Sequence, residues 1–200
     1  MLRQGDAERR SVAVVSLKDK IVENPVIAAI RNDEELEKVL YSDVSIVFIL
    51  YGTITNVSDI CSKLKSKGKI IFVHIDFIDG IKSNAASIKF LKDSLPVDGI
   101  ITTKASSIKY IKQNGLYAIQ RIFLIDTLSV ETGIKSVHET KPDAIEIMPG
   151  IVSEAIKDIK NNVRIPIIAG GLVKTKKDVI NALSSGAVAV STSKSELWDL

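Results

Sequence analysis

The strongest constraint on this chain is its rhythm. Eight short apolar runs, at 26–30, 45–50, 70–76, 99–103, 118–125, 144–148, 167–169 and 187–190, recur roughly every 20 to 28 residues, the spacing of a strand–helix unit. The segments between them carry helical patterns and helical punctuation. Asn32-Asp33-Glu34-Glu35 reads as an N-cap with an acidic first turn leading into Leu36, Val39 and Leu40. Val57, Ile60, Cys61 and Leu64 repeat the helical period before Gly68 stops it, and Asn114-Gly115 and Pro142 close later helices. Eight such units predict an α/β fold, a compact (β/α)8 TIM-type barrel over 21–200 with a short last helix at 195–200. A doubly wound sheet seldom supplies eight even units.

The rest of the composition fits one globular domain. Hydrophobic residues make up 46% and charged residues 26%, and the single Cys61 excludes an internal disulfide and fits a reducing, cytoplasmic setting. No apolar run approaches the ~18 residues of a membrane span. Arg3, Arg9 and Arg10 precede Val12 to Val15, an apolar patch too short for a signal-peptide core. Residues 1–20 have no clear period and read as a flexible or appended arm, or a short leading helix.

The stretch IPIIAGGLVKTKKDVINALSSGAVAVSTS joins the last two strands. Both strands end in small residues: Gly170 and Gly171, then Ser191, Thr192 and Ser193. Small residues let backbone N–H groups approach an anion, and hydroxyls add donors. In a barrel of this kind the loops after strands seven and eight form a phosphate cup, and Gly150 after strand six suits the same close approach. The plainer reading is two ordinary turns.

Polar residues recur where strands should be apolar. Alternation along 70–76 turns His74 and Asp76 inward, and along 118–126 and 144–148 it turns Arg121 and Glu146 inward on consecutive strands. Thr103 and Lys104 end the fourth strand at the same mouth. One reading is a buried Arg121–Glu146 salt bridge with a core His74 held by Asp76. The other is a polar pocket for the hydroxyls of a small phosphorylated ligand, and the two are compatible. No catalytic residue is assigned. Lys104 lies just past its strand, His138 lies on a helix, and neither HxH nor HExxH spacing occurs, so no metal site is expected.

Charge is unevenly placed. Residues 31–60 hold six acidic and two basic residues, and 61–112 hold ten lysines and four aspartates. Such an excess marks either a solvated helical face or a footprint for nucleic acid, with Lys63, Lys65, Lys67, Lys82, Lys89, Lys109 and Lys112 as its candidates.

The phrases VHIDFIDGI, DGIITTKASSI, AIQRIFLIDT, DAIEIMPG, PIIAGGL and AVAVSTSKSELW together resemble the glycerol uptake operon antiterminator family over about residues 22–198. The chain departs from the family pattern after the second strand, where it reads LYGTIT. The resemblance implies a regulator on a (β/α)8-type fold, not an enzyme, with no cofactor. Its effector would be glycerol 3-phosphate, its partner the leader mRNA of a glycerol operon, and no membrane is involved. A homo-oligomer stays open. The competing class is a phosphosugar isomerase, epimerase or aldolase on the same fold.

Overall fold

The computed structural model describes residues 17–200. Strands β1 (Val26–Ile30), β2 (Ile46–Ile49), β3 (Ile70–His74), β4 (Gly99–Thr102), β5 (Tyr117–Phe123), β6 (Ala144–Met148), β7 (Ile167–Gly170) and β8 (Ala189–Thr192) form one closed parallel barrel in sequence order. The closing seam aligns Val26 with Val190 and Ala28 with Thr192. Helices α1 (Leu17–Glu23), α2 (Asp33–Val39), α3 (Val57–Ser66), α4 (Ala85–Ser94), α5 (Ala105–Gln113), α6 (Thr127–Thr140), α7 (Ser153–Asn162) and α8 (Lys176–Ser184) complete the described chain. The expected TIM-type barrel is the architecture found.

Alternation along each strand builds two apolar layers. Ala28, Val47, Ile71, Val73, Ile100, Ile145 and Ile147 face the helices and pack with Leu36, Ile60, Leu64, Ile88 and Ile156. Ile27, Ile46, Phe48, Phe72, Ile101, Ile119 and Ile168 fill the interior. Phe48 and Phe72 meet edge to face there, with centroids 5.6 Å apart. Gly99 makes that possible, since a Cβ on it would lie 2.4 Å from the Phe72 ring. Cys61 is a buried member of the outer layer, and burial pushes its thiol up to about 12, so it acts as a small hydrophobe.

Helix starts follow the sequence signals. Asn32, Asn84, Asp126 and Thr175 accept backbone N–H groups at the N-termini of α2, α4, α6 and α8. The final helix is the expected stub, a 3-10 turn at Ser195–Leu197, pinned by Trp198 Nε1 donating to the Thr192 carbonyl at 2.9 Å.

Three differences in strand boundaries bear on the mouth. The third strand stops at His74 and turns into a 3-10 segment, Ile75–Phe77, so Asp76 lies on a turn. The fifth ends at Phe123 rather than 125. The eighth runs through Ser191 and Thr192, because their hydroxyls find partners: Ser191 Oγ donates to Glu146, and Thr192 Oγ1 to the Val173 carbonyl. At the other end of the barrel, Leu17 and Ile21 of α1 join the interior cluster and seal the N-terminal ends of the strands. Residues 17–20 open this short leading helix, the alternative to an arm that the sequence offered for residues 1–20. Residues 1–16 lie outside the described residues. No helix among the described residues is long and apolar enough to cross a membrane.

Candidate functional site at the barrel mouth

The inward polar residues meet at the C-terminal ends of the strands. Register places Arg121 directly beside Glu146, and Arg121 Nε donates to Glu146 Oε2 at 2.7 Å with both side chains buried. The other carboxylate oxygen, Oε1, accepts from Ser191 Oγ at 2.5 Å. Glu146 is therefore held from two sides, and it links the interior pair to the end of β8. A pair this dry is stable only with both partners present.

Asp76 anchors the other side of the mouth. Its Oδ2 accepts from Thr102 Oγ1 (2.9 Å), from the Thr103 backbone N–H (2.8 Å) and from Thr103 Oγ1 (3.2 Å). His74 stands below it, fully buried, with Nδ1 3.8 Å from Asp76 Oδ2. That gap exceeds hydrogen-bond distance, so Asp76 does not hold the histidine as a hydrogen-bonded core pair. Among the described residues, four buried side-chain atoms have no hydrogen-bond partner in the protein: His74 Nδ1 and Nε2, Asp76 Oδ1 and Arg121 Nη2. They all belong to this one cluster. Buried polar groups without partners are costly, and their concentration in one place makes this cluster the candidate site for a polar ligand. The Phe77 ring covers the cluster, stacked on His74 at 4.3 Å between centroids and 5.7 Å from the Arg121 guanidinium.

Burial and the Arg121 charge push the His74 imidazole down to about 3, opposed by Asp76 and by the residue's own backbone. The ring is neutral in the folded protein. The unfolded chain takes up the proton first as pH falls, so this contribution to stability is complete above about 6.5 and is lost progressively toward about 3. Between pH 7 and pH 5 the loss is expected to be roughly 2 kcal/mol. Thermal melting of wild type and His74→Gln across that range checks it, and superimposable profiles would exclude His74 as the source.

Beside the cluster a cavity of about 410 Å³ opens over the ends of β7, β8 and β1. Gly171, Ser191, Thr192 and Ser193 line it, so four of the residues expected at a phosphate cup share one cavity. Gly170 and Gly150 do not line it and have another task. A Cβ on Gly170 would lie 2.6 Å from both Glu146 Oε1 and Ser191 Oγ. A Cβ on Gly150 would lie 2.7 Å from the backbone of Ala169 and Gly170, and its N–H donates to the Gly170 carbonyl at 2.5 Å. These two glycines bring loops into contact, whereas Gly171, at φ +74°, turns the chain at the cavity itself. Thr103 lines a separate groove with Arg121 and Phe123.

Three cations on the cavity were not read from the sequence as part of the cup: Arg31, Lys174 and Lys194. Arg31 follows β1 and pairs with Glu35 at 2.5 Å. A basic residue immediately after an apolar strand was the available signal. The seven candidate lysines are all exposed, as a nucleic-acid footprint requires, but Lys82 lies in the mouth loop before α4 and not on the helical wall. Four of them are already in ion pairs: Lys63 with Glu37, Lys65 with Asp98, Lys89 with Asp93 and Lys112 with Asp143. Lys67 lies over the Tyr41 ring at 5.3 Å.

Residues 26–198 match the family described as glycerol-3-phosphate responsive antiterminator. The chain belongs to this antiterminator family. Among its relatives, the uncharacterized protein YgcP of Escherichia coli (strain K12) is 38% identical over 178 residues, which is 89% of this chain and 93% of that protein. The crystal structure of the glycerol uptake operon antiterminator regulatory protein from Listeria monocytogenes superposes with a TM-score of 0.84 at 34% identity, covering 86% of this chain and 94% of the other. A glycerol uptake operon antiterminator-related protein from Thermotoga maritima gives 0.80 at 31% identity, covering 88% and 99%. The antiterminator resemblance read from the strand-end phrases is thereby shown. An aldolase superposes with a TM-score of 0.69 at 14% identity, a likeness of fold alone.

Proposed function

We propose that this antiterminator is controlled by glycerol 3-phosphate bound in the barrel mouth. The phosphate takes the edge formed by Gly171, Ser191, Thr192 and Ser193, with Arg31, Lys174 and Lys194 around it. The hydroxyls take the unpartnered atoms of Asp76 and Arg121. The observation that carries this reading is the position of the four unpartnered buried polar atoms. Arg121, which carries one of them, is joined through Glu146 and Ser191 by successive hydrogen bonds to the edge of a cationic cavity. Asp76 Oδ1 accepts from a hydroxyl and Arg121 Nη2 donates to one, so a polyol chain satisfies both.

The regulatory reading follows from the family. Binding at the mouth favours one arrangement of its loops and thereby raises affinity for the leader mRNA of a glycerol operon, which requires that the ligand bind the two arrangements unequally. A regulator needs no general acid or base, and none is assigned here. Calorimetric titration with glycerol 3-phosphate, glycerol and inorganic phosphate tests the effector. A gel-shift series with and without glycerol 3-phosphate tests the response. Turnover of triose or pentose phosphates by the purified protein would overturn the reading in favour of an enzyme.

Gly171→Val is expected to weaken glycerol 3-phosphate binding by about tenfold while the barrel still folds. A branched side chain at φ +74° is strained by about 1–2 kcal/mol, and its relief shifts the turn that lines the cavity. Unchanged affinity in a folded variant would remove Gly171 from the site.

A further inference from the structure

Several of the wall lysines have an explanation in helix electrostatics. Lys63 and Lys65 lie in the last turn of α3, Lys92 in that of α4 and Lys112 in that of α5. Cations are favoured there by the negative end of the helix dipole, and carboxylates neutralise several of them. The mouth shows the opposite placement. Lys104 stands at the N-cap position of α5 and makes no side-chain cap. Lys176 and Lys177 occupy the first turn of α8, just after Lys174, and Lys194 stands at the N-cap position of the 195–197 turn. All five are exposed, and Lys104, Lys176 and Lys177 stand at the positive ends of α5 and α8, where a cation is disfavoured. Among the described residues only Lys104 of these forms an ion pair, a long one of 3.9 Å to Asp76 Oδ1. Such placement serves an anion larger than one phosphate group.

The same rim exposes apolar surface. Ile125 is 87% exposed and Leu128 68%, and Phe123, Phe77 and Leu172 are each about half exposed. Acidic residues are spread round the mouth, with Asp33, Glu34 and Asp79 on the β1–β3 side and Asp126, Glu154, Asp178 and Glu196 at the helix starts that follow β5 to β8. The arc from the end of β3 to β8 carries Lys104, Lys174, Lys176, Lys177 and Lys194 together with two half-exposed aromatic rings, Phe77 and Phe123, beside a cluster of buried polar atoms that lack hydrogen-bond partners.

We propose that this arc of the barrel mouth, and not the lysine-rich wall, is the face that takes single-stranded RNA. The proposal rests on the antiterminator reading and names the surface for it. Phosphates lie along Lys104, Lys176 and Lys177, and bases stack on Phe123 and Phe77, an arrangement that tolerates sequence and requires single strands. Lys174 and Lys194 line the proposed effector cavity, and Lys176 and Lys177 open the helix that follows the Lys174 loop. Occupancy of the cavity therefore acts on the loop that leads into the RNA contacts, with no signal needed through the barrel.

The test measures binding of a labelled glycerol-operon leader transcript over a salt series at saturating glycerol 3-phosphate. Three variants are compared: Lys176→Gln/Lys177→Gln, Phe123→Ala, and Lys63→Gln/Lys67→Gln/Lys109→Gln on the wall. The mouth double variant is expected to flatten the slope of log affinity against log salt by about 1.4. Phe123→Ala is expected to lose on the order of tenfold in RNA affinity at fixed salt. In both, calorimetry should give unchanged affinity for glycerol 3-phosphate, and the wall variant should keep the wild-type slope. A wall variant that flattens the slope by about 2 while the mouth double variant keeps it would overturn the surface and leave the antiterminator reading standing. A wild type that binds glycerol 3-phosphate but no RNA would overturn that reading, and this surface with it.

Discussion

Arg121→Ala is expected to lower the melting temperature by about 6–20 °C, the largest effect of any single truncation at the mouth. The reason is what stays behind. Glu146 is fully buried on β6, and its Oε2 accepts only from Arg121 Nε. Removing the guanidinium leaves a carboxylate with one donor, Ser191 Oγ, in a dry interior. Breaking a buried pair from one side costs about 3–5 kcal/mol, and a barrel of this size shifts by about 2–4 °C per kcal/mol. Replacing both partners by apolar residues, Arg121→Met with Glu146→Leu, is expected to recover most of that stability, since the uncompensated charge is gone. The double variant should still fail to bind glycerol 3-phosphate, because Arg121 Nη2 is lost with the pair. Calorimetric melting and titration of the single and double variants separate the two effects. A single variant that melts like wild type would mean that Glu146 finds another donor.

Gly170→Val is expected to destabilise the protein by about 2–6 kcal/mol and to abolish effector binding, far more than any change at Gly171. The two glycines are adjacent in sequence and differ in surroundings. At Gly170 a Cβ lies 2.6 Å from Glu146 Oε1 and 2.6 Å from Ser191 Oγ, so an isopropyl group must separate two buried groups that are hydrogen-bonded to each other. Overpacking contributes about 1–3 kcal/mol and the lost buried hydrogen bond about 1–3 kcal/mol. At Gly171 a Cβ meets only Met148, at 3.5 Å, an ordinary contact, and the penalty is confined to the positive φ. Urea unfolding of both variants checks the ranking. Equal stabilities would show that β7 shifts to relieve the Gly170 contact, and the cup would then be less rigid than its hydrogen bonds indicate.

The sequence by itself determined the barrel and the inward positions of its polar residues. Strand alternation, helix caps and strand-ending glycines act over a few residues, so eight repeats of 26–30 and its successors identify eight units without knowledge of their contacts. The same alternation placed Arg121 and Glu146 on the inward face, and adjacency of β5 and β6 did the rest. The small strand ends pointed correctly to the rim where Gly171, Ser191, Thr192 and Ser193 share a cavity. Only the tertiary structure decided what those residues do to one another. Closure of β8 on β1 brings Arg31 to the same cavity as Lys174 and Lys194, across more than a hundred residues of chain. Register between β6, β7 and β8 seats Glu146, Gly170 and Ser191 together, which leaves no room for a side chain at Gly170. The break of β3 at His74 carries Phe77 over the unpartnered cluster, and no local pattern foretold it. Periodicity fixes which face a side chain is on. Distance between faces of separate strands depends on closure and register, which are properties of the whole sheet.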